Sequence, residues 1–276
     1  MKTKSLSIFL FVLFVAGMNL VAAEDENENK EGEKFKYEKI GGEVPFSDVA
    51  LSLKTILIGN SMVGKSALIT KICKNEFSDV YSATVGFELF NLKFRIVIGM
   101  KELVLKYDIW DICGNEIYRS LITSFYNNAS VVLLAYDVTN EKSFKDIEYW
   151  VKEAKEKNPK VIEHFVLIGT KIDLKEDRKV TKETGEKFAK ANGMKFVEVS
   201  AQTGVGITDL ENILAKIIYE ESKKKEEKKK EKNENDKKNK KRIIEEDDNG
   251  YVSIEEGKPT HSGSLCDCCK KICEIC

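Results

Sequence analysis

Leu53-Lys54-Thr55-Ile56-Leu57-Ile58-Gly59-Asn60-Ser61-Met62-Val63-Gly64-Lys65-Ser66 is the stretch whose reading decides the fold. An apolar run from Leu51 to Ile58 enters Gly59, four residues follow, and then Gly64-Lys65-Ser66 opens Ala67-Leu68-Ile69. This is the GxxxxGK[ST] phosphate-binding loop between a strand and a helix. Gly59 and Gly64 let the backbone curl round a phosphate, and the loop amides turn inward as donors. The helix that starts near Lys65 adds its positive N-terminal end. Lys65 has the reach for β- and γ-phosphates, and the Ser66 hydroxyl is a Mg²⁺ ligand of the right kind. A chance glycine turn is the competing reading, and the apolar helix start argues against it.

The rest of the middle of the chain supplies the matching elements. Phe87–Ile98 and Glu102–Ile109 read as a hairpin round Gly99, Val131–Tyr136 and Phe165–Gly169 as buried strands, and Lys195–Val199 as a sixth strand. Helices are expected over 67–73, 141–157, 182–191 and 207–219. The predicted fold is α/β, a mostly parallel six-stranded sheet flanked by helices, with ligands at the strand C-terminal ends. No internal repeat is apparent.

Chemistry-bearing residues fall at those ends. Trp110-Asp111-Ile112-Cys113-Gly114-Asn115-Glu116 places Asp111 where it can act on Mg²⁺ through water, and Gly114 where an amide can approach a terminal phosphate. Gly169-Thr170-Lys171-Ile172-Asp173 places a carboxylate that can accept two N–H bonds from guanine, a pattern adenine lacks. Ser200-Ala201-Gln202 offers a backbone amide to the base oxygen. Each pattern is weak alone; four in this order, each at a strand end, are strong together.

On these residues the chain resembles the Ras superfamily of small GTPases, and within it the Rab family. The Rab resemblance lies in KYDIWDICGNE (106–116), YRSLITSFYNNA (118–129), YDVTN (136–140) and KFVEVSA (195–201), within residues 51–222. It implies the small G protein form of the P-loop NTPase fold, GTP and GDP as ligands, Mg²⁺ as cofactor, GTP hydrolysis, and a switch role in vesicle traffic. Nucleotide contacts are implied for Gly59, Ser61, Val63, Gly64, Lys65, Ser66, Ala67, Phe77, Tyr81, Thr84, Gly114, Thr170, Lys171, Asp173, Ser200, Ala201 and Gln202. Mg²⁺ falls to Ser66, Thr84 and Asp111, and catalysis to Asn115, Lys65 and Gly114. Phe77 matches the aromatic that packs on guanine, and Thr84 the switch I threonine that senses the γ-phosphate. Residues 77–90 and 111–126 would meet exchange factors, activating proteins and effectors; no nucleic-acid partner is expected.

The departures from the family pattern concern hydrolysis more than binding. Asn115 stands where the family has a water-positioning glutamine and is one methylene shorter. Met62 occupies a position usually held by a small residue. Ile112-Cys113 replaces Thr-Ala, Thr170 an asparagine and Gln202 a lysine. Slow turnover is expected, and a module that binds GTP with negligible hydrolysis is the alternative.

The ends are unusual. The 276-residue chain leaves room for one domain of ~150–180 residues plus tails. Its formal net charge of −1 hides an acidic run at 24–33 and twelve Lys/Arg in 220–242. Residues 1–23 read as a signal peptide: Lys2 and Lys4, an apolar run from Ile8 to Met18, then Val21-Ala22-Ala23. An uncleaved N-terminal anchor and a wrongly assigned start are the other readings. Residues 24–50 read as a polar linker, 223–265 as a charged flexible tail, and 266–276 as a Cys-rich terminus holding five of the seven cysteines. Cys273 and Cys276, with Cys268 and Cys269, are candidate lipidation sites that would attach the tail to endomembranes. A disulfide- or metal-binding tail of a secreted or organellar protein is the alternative. A signal peptide and cytosolic prenyl transfer pull in opposite directions, so the membrane face stays open.

Overall fold

A computed structural model describes residues 27–28, 34–80, 82–98, 100–114, 123–158 and 164–246. The six expected strands are present as β3 (Val49–Ile58), β4 (Phe87–Ile98), β5 (Lys101–Ile112), β6 (Val131–Asp137), β7 (His164–Thr170) and β8 (Lys195–Glu198). Two more precede them, β1 (Asn27–Glu28) and β2 (Lys34–Ile40). The sheet order is β1-β2-β4-β5-β3-β6-β7-β8. Pairs β3·β5, β3·β6, β6·β7 and β7·β8 are parallel, whereas β1·β2, β2·β4 and β4·β5 are antiparallel.

Composition explains these places. Every residue of β6 is buried, as a continuous Val-Val-Leu-Leu-Ala-Tyr run at a sheet centre requires. In β4, Phe90, Leu92, Phe94 and Ile96 are buried while Lys93 and Arg95 turn outward. That period of two suits an antiparallel strand with one solvated face.

Helices cover both faces. Helix α1 (Lys65–Lys74) and the start of α5 (Ile207–Glu246) share one core with Leu53, Leu57 and Ile109. Helices α2 (Glu141–Lys145), α3 (Ile147–Lys157) and α4 (Lys182–Ala191) flank the second, built on Ile56, Ile58, Val132 and Trp150. Strand β3 feeds alternate side chains to each core, so the loop that follows it leaves from the middle of the packed layers.

The reading of 24–50 as linker is corrected by β2. Its Phe35 is buried, Tyr37 donates to Asn212 Oδ1 at 2.7 Å, and Lys39 pairs with Glu211 at 2.6 Å. On the other face Arg95 lies 3.2 Å from Glu38. The strand alternates faces as any half-buried strand does, but four charged residues in Lys-Phe-Lys-Tyr-Glu-Lys-Ile mask the pattern. Gly42, at φ 77°, turns the chain away after it.

Helix α5 also continues to Glu246, through part of the segment read as flexible tail. Its apolar stripe ends at Tyr219, and the side chains from 224 to 237 are all exposed. Among the described residues no helix is long and apolar enough to cross a membrane. Residues 1–26 and 247–276, with the signal-like segment and all five tail cysteines, lie outside the described residues.

Candidate functional site

The phosphate loop spans Gly59 to Gly64 between β3 and α1. Gly59 sits at φ 143°, and a side chain there would strike the Ala135 carbonyl of β6. Gly64 caps α1 in the left-handed region at φ 90°. Both glycines therefore answer to backbone geometry. Met62 takes φ 65° without being glycine and stands 65% exposed.

Lys65 is buried against the loop. Its ammonium donates to the Gly59 carbonyl at 2.9 Å and the Asn60 carbonyl at 2.8 Å. Burial lowers its pKa from 10.5 to about 8, against the opposing pull of Asp111 and Cys113. Gly114 packs so close that a Cβ on it would lie 2.6 Å from Lys65 Nζ. The Gly114 backbone thus reaches the ground the lysine occupies.

Ser66, Thr84 and Asp111 meet although they are far apart in sequence. Ser66 Oγ donates to Asp111 Oδ2 at 2.5 Å, and Thr84 Oγ1 lies 2.9 Å from Ser66 Oγ. Since the Ser66 proton goes to the carboxylate, the Thr84 hydroxyl is the donor to Ser66. Asp111 is fully buried, and its Oδ1 has no hydrogen-bond partner. Burial raises its pKa, opposed by the Ser66 bond and by Lys65. Two hydroxyls and a buried carboxylate with a bare oxygen form a hard, all-oxygen donor set, which fits Mg²⁺.

The other side of the loop is held by β7. Thr170 Oγ1 donates to the Val63 carbonyl at 2.5 Å and lies 2.9 Å from the Tyr136 carbonyl. Lys171, at φ 62°, pairs with Asp137 at 2.6 Å, and Asp137 also accepts from Thr139 N at 2.8 Å. Asp173 is half-buried in the turn that follows. Ile172 N donates to Val199 O at 3.4 Å, which brings this turn beside Ser200-Ala201-Gln202. Ser200 is fully buried and its hydroxyl accepts from Thr203 N at 3.0 Å, while Gln202 is exposed.

Ser61 is exposed and Ala67 half-buried at the two ends of the loop's helix junction. Phe77 stands 38% exposed beyond the left-handed C-cap Asn75 of α1. Asn115 and Tyr81 lie outside the described residues, as do Cys268, Cys269, Cys273 and Cys276.

Sequence reading overlooked several neighbours. Asp137 pairs with Lys171 and is itself held by Thr139, which donates to it from N and Oγ1; only the strand-end position of Asp137 could have flagged them. Asn60, one of the four residues between Gly59 and Gly64, bonds Asp146 and Trp150 through its side chain. Phe87, Trp110 and Phe125 form a cluster with centroids 4.7–5.3 Å apart, and Phe87 is half exposed beside residues 77–86.

Comparison with known proteins identifies the family. The Ras family model matches residues 54–220. Ras-related protein Rab-13 of Bos taurus is 35% identical over 165 residues, covering 60% of this chain and 79% of the relative. Ras-related protein Rab-13 of Canis lupus familiaris is 36% identical over the same length and coverage. Ras-related protein Rab-8B of Homo sapiens is 36% identical over 165 residues, 60% of this chain and 77% of the relative. With the loop, the fold and the matched span in agreement, the chain belongs to the Ras family of small GTPases and is similar to its Rab members.

Proposed function

We propose that this chain is a guanine-nucleotide switch of membrane traffic that binds GTP and GDP with Mg²⁺ and hydrolyses GTP slowly. The observation that carries the reading is the cluster of Ser66, Thr84 and Asp111 beside Lys65, with Asp111 Oδ1 buried and unpartnered. A buried acceptor left bare costs free energy, and a bound cation removes that cost. Ser66, Thr84 and Asp111 would hold Mg²⁺, which when bound would neutralise phosphate charge.

The chain's own residues do the rest. The loop amides from Ser61 to Ala67 cradle phosphate oxygens, and Lys65 exchanges the Gly59 and Asn60 carbonyls for them. Asp173 accepts the guanine N–H pair, with Lys171 and Phe77 against the base and the Ala201 amide on its oxygen. Thr84 senses the γ-phosphate from switch I, and Tyr81 is a further nucleotide contact. Gly114 offers its amide to the terminal phosphate, and Asn115 orients the attacking water. Exchange factors, activating proteins and effectors meet residues 77–90 and 111–126, where Val80, Val85, Phe87 and Leu89 are exposed. Attachment to endomembranes falls to the tail, through lipid on Cys273 or Cys276, or on Cys268 or Cys269.

Single-turnover hydrolysis of GTP tests this reading. The parent should turn over below the slow rate usual for isolated small GTPases, on the order of 10⁻⁴ per second. Asn115→Gln should raise that rate, because a water misplaced by about 1 Å costs on the order of 100-fold. GTP affinity should change by no more than a few-fold. An unchanged rate with GTP still bound would remove Asn115 from the limiting role, and no hydrolysis from either protein would leave a binding module.

A further inference from the structure

Asn60 ties the phosphate loop to the opposite face of the sheet. Its amide donates from Nδ2 to Asp146 Oδ2 at 2.6 Å, and its Oδ1 accepts from Trp150 Nε1 at 2.8 Å. Both partners lie some ninety positions away, Asp146 at the joint between α2 and α3 and Trp150 within α3. Trp150 is buried in the second core, so its indole N–H is fixed in direction. Asp146 ends α2 and begins α3, and its backbone N–H is anchored on the Lys142 carbonyl at 2.9 Å. The Asn60 amide is thus held at both ends by groups that cannot follow it if the loop moves.

The backbone of that same residue faces the ligand side. The Asn60 carbonyl accepts from Lys65 Nζ at 2.8 Å. The loop is therefore gripped at two points, by the Asn60 side chain toward α3 and by the Val63 carbonyl toward Thr170. Movement of the loop away from α3 would break the Asn60 grip, and movement away from β7 the Val63 grip.

We propose that Asn60, Asp146 and Trp150 form a latch that sets the rate at which the loop releases bound nucleotide. They are positioning residues, and the proposal rests on the reading of the loop as a guanine-nucleotide site.

The test is release of a fluorescent GDP analogue from the full chain in Mg²⁺, beside single-turnover hydrolysis. Asn60→Asp keeps the acceptor for Trp150 but sets a carboxylate against Asp146, and like charges in contact are strongly unfavourable. Release should quicken about ten-fold or more. Asp146→Asn keeps a neutral bond and should change little. The double variant Asn60→Asp with Asp146→Asn reverses donor and acceptor, so release should return to within about three-fold of the parent. Asp146→Asn and Asp146→Ala, which lie outside the loop, should leave hydrolysis within about two-fold. A double variant as fast as Asn60→Asp alone would overturn the latch. Should Asn60→Asp not fold, Asp146→Ala at a partly exposed position carries the test: faster release supports the latch, and unchanged release overturns it. A parent chain that holds no guanine nucleotide would defeat the reading of the site itself, before any variant is compared.

Discussion

The Phe35 ring packs on the Tyr219 ring, with centroids 4.5 Å apart and both side chains buried. One residue belongs to β2, ahead of the phosphate loop, and the other to the last apolar turn of α5. Lys39 strengthens the same junction, since its ammonium also donates to the Ile72 carbonyl of α1 at 3.0 Å. The N-terminal strand therefore fastens the loop's helix, the edge of the sheet and the C-terminal helix together.

Phe35→Ala should cost about 3 kcal/mol of stability, the usual size of a buried phenyl deletion that leaves a cavity. Urea unfolding of the GDP-bound protein measures it. A loss under about 1 kcal/mol would mean that β2 is only loosely held.

Met62 strains the loop at φ 65°, a region that costs a residue with a side chain on the order of 1–2 kcal/mol. Met62→Gly relieves that strain but adds freedom to the unfolded chain, so a net gain of roughly 0.5–1 kcal/mol is expected. Thermal unfolding at fixed GDP reads the gain. A loss instead would show that the exposed thioether makes stabilising contacts.

Lys65 makes nucleotide binding depend on pH. Burial disfavours its ammonium and brings the pKa to about 8, whereas a bound phosphate favours the charged form. Affinity should be flat well below that value and fall as pH rises through it, by about four-fold between roughly pH 7 and 8.5. The unfolded chain keeps this proton up to about 10.5, so the nucleotide-free fold gains stability between about 8 and 10.5. Calorimetric titration with GDP at two pH values checks the first point, and a flat profile would place Lys65 away from the phosphate.

Residues with local signatures were legible in the sequence, and those defined by contact were not. Gly59, Gly64 and Lys65 announce themselves because a phosphate loop needs them at fixed spacing. The buried runs of β3, β6 and β7 carry their own signal. Asp111 and Asp173 were found because strand ends are where such a sheet puts ligands. Strand β2 escaped because Phe35 and Tyr37 are set among lysines and glutamate, and only the partners on β4 and α5 turn them into a strand. Asn60 escaped for a similar reason: nothing local marks an amide whose two partners lie on another helix. The continuation of α5 past Tyr219 reads as flexible tail because its stretch has no apolar stripe to distinguish helix from coil.

Relative affinity for GDP and ADP tests the central claim most directly, measured by calorimetry in Mg²⁺ with the parent and Asp173→Asn. A carboxylate built to accept the guanine N–H pair should favour GDP over ADP by on the order of 1000-fold or more, because adenine leaves it unpaired. Asp173→Asn changes the acceptor pair into one acceptor and one donor, so affinity should pass from guanine to xanthine diphosphate. ADP bound within about ten-fold of GDP, or Asp173→Asn without effect on base preference, would contradict the account.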